Sequence, residues 1–133
     1  MRRIFWWIFY GLTLVLLLLV VTIDLYRFVR PPITPLMVIR SLQGQPTIRQ
    51  WVDADAIAPD MFRAVIASED AKFCRHHGFD WQAIDEDYER YEEGVGKLRG
   101  ASTISMQTAK NLFLWPGRTF LRKGFEAPIT VMV

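Results

Sequence analysis

Residues Pro59 to Gly78 read P-D-M-F-R-A-V-I-A-S-E-D-A-K-F-C-R-H-H-G, and here an apolar helical run passes directly into a crowd of titratable groups. Proline suits the first position of a helix, and Met61, Phe62, Val65 and Ile66 recur at helical spacing. The helix therefore delivers Glu69 at its C-terminal end, where the macrodipole gives a carboxylate no support. Desolvation by apolar neighbours favours the protonated form of such a group, which makes Glu69 a candidate general base. On these residues alone, a surface acid paired with Lys72 is the stronger reading. Asp70 suits orienting a neighbour or capping backbone, and Phe73 is read as core. His76 is expected to hold the loop near Gly78 in shape. Cys74, His76 and His77 do not make a metal site, because adjacent histidines point apart and no second cluster completes four ligands.

Working outward, Asp80 is placed to cap a second helix running to Glu93, ahead of Gly94 and Gly96. A third helix is predicted from Ala101 or Ser102, with Ile104, Ala109, Leu112 and Phe113 apolar, broken by Trp115-Pro116-Gly117. A fourth from Arg118 puts Leu121 and Phe125 on one face and Arg122 with Glu126 on another, with a kink expected at Pro128. Upstream, Leu36–Leu42 reads as a short amphipathic helix, Gly44 to Pro46 as a turn and Thr47 to Val52 as a short strand. Arg30-Pro31-Pro32 and Thr34-Pro35 make a stiff extended linker, assigned to residues 24–35.

Residues Ile4 to Ile23 carry no charge, and about 20 helical residues reach about 30 Å, the hydrocarbon thickness of a bilayer. Residues 4–23 are therefore read as a single transmembrane anchor. Arg2 and Arg3 precede it, so residues 1–3 are expected on the cytoplasmic side and the remainder across the membrane, although Arg27 and Arg30 weigh slightly the other way. A cleaved signal peptide fits less well: the apolar run is long, and no small-residue exit follows it. The chain has 133 residues, enough for an anchor and one small domain or part of a larger one. A single cysteine allows no internal disulfide and says nothing about compartment.

The net charge of +2 hides a division. Asp80 to Glu93 holds seven acids against Arg90, whereas residues 94–133 hold six bases against Glu126 alone. A basic segment exported by a membrane span points to a phosphorylated or membrane-bound anion rather than to nucleic acid. G-A-S-T-I-S-M-Q, Gly100 to Gln107, reads as a helix start whose Ser102 or Thr103 hydroxyl and backbone N–H groups suit an anion; ordinary capping is the alternative. R-K-G-F-E, Arg122 to Glu126, combines cations with a carboxylate, and a solvated salt-bridge face explains it equally well.

Together these residues resemble the peptidoglycan glycosyltransferases, in their monofunctional, membrane-anchored biosynthetic transglycosylase form. The resemblance covers roughly Trp51 to Val133. The motif E-D-x-x-F-x-x-H-x-G is met by Glu69, Asp70, Phe73, His76 and Gly78. G-x-S-T-I-x-Q-Q is met by Gly100, Ser102, Thr103, Ile104 and Gln107, and R-K-x-x-E by Arg122, Lys123 and Glu126. The resemblance implies a mainly α, lysozyme-like domain, partial over residues 36–133, that polymerises lipid II and releases undecaprenyl pyrophosphate. It makes Glu69 the base acting on the acceptor 4-hydroxyl and Glu126 the second catalytic carboxylate, on the donor side. It assigns substrate binding to Asp70, Ser102, Thr103, Gln107, Lys110, Arg118, Arg122 and Lys123, and structural support to Phe73, His76, Gly78 and Gly100. No tightly bound cofactor is implied, with a divalent metal (Mg or Mn) admitted beside the pyrophosphate. Lipid II, the growing glycan strand, membrane lipid and cell-wall synthesis proteins are the implied partners. The implied place is the bacterial cytoplasmic membrane, with the catalytic part on its outer side.

The chain departs from the family in two respects. Met106 replaces the first glutamine of the Q-Q pair, removing one polar contact near the donor site. Family members also continue by roughly another hundred residues, so a C-terminally truncated domain is expected, and a catalytically inactive, membrane-anchored remnant that binds lipid II or assembly partners is the alternative function. A glycan-cleaving enzyme of related fold is a third reading, disfavoured by the anchor and by the basic residues around Arg122.

Overall fold

The computed structural model describes residues 2–45, 47–95, 101–117 and 119–133. Its elements are α1 (Arg2–Tyr26), α2 (Pro35–Leu42), α3 (Pro59–Glu69), α4 (Trp81–Glu92), α5 (Ile104–Phe113) and α6 (Phe120–Met132), with short 3-10 turns at Ala54–Ala56 and Phe73–Arg75. No strand occurs among the described residues. The helical class is as expected, but residues 47–52 form no strand. They run as irregular chain with Ile48, Trp51 and Val52 exposed, and apolar alternation without a neighbouring ladder does not make a strand.

The chain divides into two units, one up to Pro32 and the other comprising Ile33–Val131. The first is built on α1, whose 25 residues span about 37 Å. By length and composition α1 is able to cross a membrane. Its Thr13 and Thr22 hydroxyls donate to the carbonyls of Phe9 (2.9 Å) and Leu18 (2.7 Å) one turn back, leaving neither hydroxyl in need of water. Trp6 stacks on Tyr10 with Phe5 and Phe9 edge-on to it, forming an aromatic collar next to Arg2 and Arg3.

In the second unit, helix starts are set by hydroxyl and carboxylate caps. Thr34 Oγ1 accepts from Met37 N (3.2 Å) ahead of Pro35, and Asp80 Oδ1 accepts from Ala83 N (3.0 Å), as expected of that aspartate. α5 begins at Ile104, later than the predicted Ala101 or Ser102, because Thr103 is its cap: Thr103 Oγ1 accepts from Met106 N at 3.1 Å. α6 begins at Phe120 with Thr119 as cap, and it runs past Pro128 to Met132. The expected roles of Pro46, Gly96, Gly100 and Arg118 lie outside the described residues.

α2 packs against α5. The buried apolar centre of this unit is small, with Ala109, Leu114 and Ile129 at its heart. Buried polar residues outnumber them: Thr34, Asp70, Asp87, Thr103, Arg122, Glu126 and Thr130. Polar cross-links therefore carry much of the positioning, and each must be well made, because an unpaired buried polar group costs more than its bond contributes.

Candidate functional site

The loop after α3 is the joint at which the first two motif segments meet, and it also approaches α6. Asp70 is 7% exposed and uses both carboxylate oxygens within the protein. Its Oδ1 lies 2.8 Å from His76 Nε2, and its Oδ2 accepts from the backbone N–H of Ile104 at 3.0 Å. A carboxylate only accepts, so Nε2 is the protonated nitrogen of His76; Nδ1 is buried with no partner among the described residues. His76 thus ties the loop back to Asp70. The N-terminus of α5 is suited to an anion, but the anion it receives is the protein's own Asp70 carboxylate.

Thr103 is likewise engaged internally. Its hydroxyl donates to the carbonyl of Gly78 at 2.5 Å while capping α5. Gly78 has φ +86°, and a Cβ there would stand 2.9 Å from the carbonyl oxygen of Thr130 on α6. Only glycine allows both the left-handed turn and the close approach of α6. The loop therefore touches α5 through Asp70 and Gly78, and α6 through Gly78.

Glu69 differs from these neighbours in being exposed. The apolar residues expected to desolvate it are themselves exposed, Met61, Phe62 and Val65 among them, so that expectation is not met. The ion pair with Lys72 is not formed either, because Lys72 faces Asp80 and Glu86 instead. Glu69 Oε2 accepts from the side-chain amide of Gln107 at 2.8 Å. That bond fixes one oxygen of the carboxylate and joins the first motif to α5. The family resemblance puts Gln107 on the substrate; nothing in the spacing of Glu69 and Gln107 announces that they meet.

A cleft of about 520 Å³ opens beside Glu69. Of the expected site residues its described lining includes Glu69, Asp70, Ser102, Thr103 and Gln107, together with Lys72, Asp80 and Glu86. Lys110, Arg122, Lys123 and Glu126 are not among those lining residues. Ser102 is exposed, Lys110 half-buried and Lys123 exposed. Phe73 is 36% exposed, so it is not core; its ring instead meets His76 edge-on at 6.3 Å. Among the described residues no three of His, Cys, Asp or Glu converge as metal ligands.

Within the R-K-G-F-E segment Lys123 is exposed, but Arg122 and Glu126 do not form a solvated salt bridge. Arg122 and Glu126 are 4% and 5% exposed and form a buried ion pair through Nη1 and Oε2. Arg122 Nε also donates to the carbonyl of Gly117 at 2.7 Å, tying the turn before α6 to its first helical turn. The guanidinium is thus a bracket inside the protein.

The model of the family described as Transglycosylase matches residues 36–133. The chain belongs to this transglycosylase family. The match begins before Trp51, so α2, which packs on α5, is part of the transglycosylase domain. Curated relatives bear the name "Biosynthetic peptidoglycan transglycosylase". One from Caulobacter vibrioides is 55% identical over 114 residues, covering 86% of this chain and 49% of the relative. One from Rhodospirillum centenum is 56% identical over 124 residues, covering 92% and 52%. One from Nitrobacter winogradskyi is 50% identical over 109 residues, covering 82% and 47%. The chain therefore spans about half the length of the curated relatives it matches. No solved structure matches it. In this transglycosylase domain all three motif segments have defined partners, and Glu69 is the motif carboxylate that combines exposure with a cleft.

Proposed function

We propose that the protein is a peptidoglycan glycosyltransferase that polymerises lipid II into glycan strands, with Glu69 as general base. The observation that carries this reading is the Glu69 carboxylate: exposed on the cleft, held by Gln107 at 2.8 Å through one oxygen, and seated on a loop braced by Asp70, His76 and Gly78. A base must reach the proton it takes, and a fixed carboxylate with an accessible oxygen meets that geometric requirement. Glu69 removes the proton of the acceptor 4-hydroxyl as that oxygen bonds to the anomeric carbon of the donor. The bond from that carbon to phosphate breaks, and undecaprenyl pyrophosphate leaves with the electron pair.

Lys110, Lys123 and Arg118 are the cations assigned to the leaving pyrophosphate, in keeping with electrostatic stabilisation of developing charge. Arg122 is not free to join them, because Glu126 holds it inside the protein. Glu126 accordingly acts by fixing Arg122 and the start of α6. α1 anchors the protein in the bacterial cytoplasmic membrane by a single pass, and Arg2 and Arg3 keep its N-terminus inside, placing the domain on the outer side. Membrane lipid, the growing strand and other cell-wall synthesis proteins are then its neighbours.

The test is elongation of labelled lipid II by the detergent-extracted protein. Glu69→Gln is expected to lower the rate by about 10²-fold or more, the usual scale of general-base catalysis, with an unchanged melting temperature. A Glu69→Gln variant that elongates glycan at the parent rate would remove Glu69 from the chemistry, and a parent protein with no elongation would remove the function.

A further inference from the structure

Lys72 stands on the wall of the cleft three residues from Glu69, and its ammonium makes no hydrogen bond to a described residue. Its side chain is 35% exposed, and Nζ lies 3.9 Å from Asp80 Oδ2 and 4.0 Å from Glu86 Oε1. Both separations exceed the roughly 2.7–3.2 Å of a hydrogen bond, so each attraction is through space only. The two acids also have other bonds: Asp80 caps α4 through Oδ1, and Glu86 Oε1 accepts from Gln82 Nε2 at 2.8 Å. The ammonium thus presents N–H donors that no described residue takes up. Its root is held firmly, since the carbonyl of Lys72 accepts from Arg75 N at 2.7 Å in the 3-10 turn after Asp70.

The charge around it selects what it receives. The described lining of the cleft holds the carboxylates of Glu69, Asp70, Asp80 and Glu86 against this one ammonium. An anionic ligand group entering there meets more repulsion than attraction, whereas a hydroxyl or amide carbonyl gains a charge-assisted hydrogen bond without that cost. We propose that Lys72 is a substrate-binding residue whose ammonium donates to neutral oxygens, hydroxyl or acetamido carbonyl, of the saccharide presented to Glu69. The two acids hold the ammonium toward the cleft without consuming its donors. This inference rests on the glycosyltransferase reading for the identity of the saccharide, and on the cleft itself for the contact.

The test is titration of the detergent-extracted protein with a neutral β-1,4-linked N-acetylglucosamine oligosaccharide, alongside lipid II elongation. Lys72→Met is expected to raise the dissociation constant about tenfold or more, the scale of one hydrogen bond from a charged group. Lys72→Arg, which keeps charged donors, should stay within about threefold, and affinity for the neutral sugar should change little with salt. In elongation, Lys72→Met should raise KM more than it lowers kcat. A Lys72→Met variant that binds the sugar as the parent does, or a parent that binds none, overturns the proposal. So does a Lys72-dependent preference for inorganic pyrophosphate over the sugar. If Lys72→Met lowers the melting temperature, Lys72→Gln supplies the comparison, and parent-like affinity there together with a loss in Lys72→Arg would also overturn it. Sugar binding that needs Lys72 in a protein that elongates nothing would sink the function while leaving this inference standing.

Discussion

Glu69 and Glu126 are both helix carboxylates within charged motifs, yet the fold puts them in opposite physical situations. Glu69 is exposed, with one neutral amide donating to it across the cleft. Glu126 is buried, its carboxylate taken by the guanidinium of Arg122, which also reaches the carbonyl of Gly117. The first presents a carboxylate to a cleft; the second is enclosed in the protein with its partner. Two acids of equal standing in a motif thus divide into one open to a cleft and one fastened inside the protein, and burial with partner charge is what divides them.

The most severe way to break this comparison is to leave one charge of the buried pair alone. Arg122→Ala should destabilise the domain by about 3–5 kcal/mol, because Glu126 would remain buried without compensation. Denaturant unfolding measures it directly. Arg122→Met combined with Glu126→Leu should recover most of that loss, since an apolar pair of similar volume removes the desolvation cost along with the attraction. If instead the single variant is as stable as the parent, Glu126 is not a fastening and its contrast with Glu69 collapses.

A smaller effect is expected at the joint between the two regions. Gly78→Ala puts a side chain at φ +86° and a Cβ 2.9 Å from Thr130 O, in the backbone of α6 rather than at the end of a flexible side chain. The cost should be about 1–3 kcal/mol, visible as a lowered melting temperature, with activity falling as the Glu69 loop and α6 separate. Gly44→Ala, at a position that also has positive φ but open space around it, serves as the control for backbone strain without the clash.

The helices were legible in the sequence wherever a local signal sets them: Pro59 opening α3, Asp80 capping α4, and Gly94 and Pro116 following helix ends. α5 starts two or three residues later than predicted because Ser102 and Thr103 both offer a cap and only packing chooses Thr103, and α6 starts two residues later than predicted because Thr119 is its cap. The strand predicted at residues 47–52 failed because alternation describes a strand's faces but does not supply a partner strand. Within the site, the loop role of His76 was readable from residue type, whereas that of Gly78 came only with the family resemblance. The joins from Glu69 to Gln107 and from Asp70 to Ile104 were not, since they span 38 and 34 residues and depend on how α3 meets α5. Arg122 looked like a free cation because spacing shows that it can reach Glu126 but not that the pair is buried.

The mildest substitution sharpens the comparison most, because Gln107 is the donor that distinguishes a placed Glu69 from a loose one. Gln107→Ala removes a single bond at a half-buried position, so stability should change by no more than about 1 kcal/mol. The carboxylate would then sample other rotamers, and a base held out of line loses effective concentration at its proton. A fall of about tenfold in kcat for lipid II elongation is expected, corresponding to about 1.4 kcal/mol of lost transition-state stabilisation. KM should be nearly unchanged if Gln107 acts through Glu69. A raised KM with kcat intact would mean that Gln107 holds substrate instead, returning it to the role its place in the motif first suggested. Combining Gln107→Ala with Glu69→Gln separates the two: once the carboxylate is gone, loss of a residue that only positions it should cost little more.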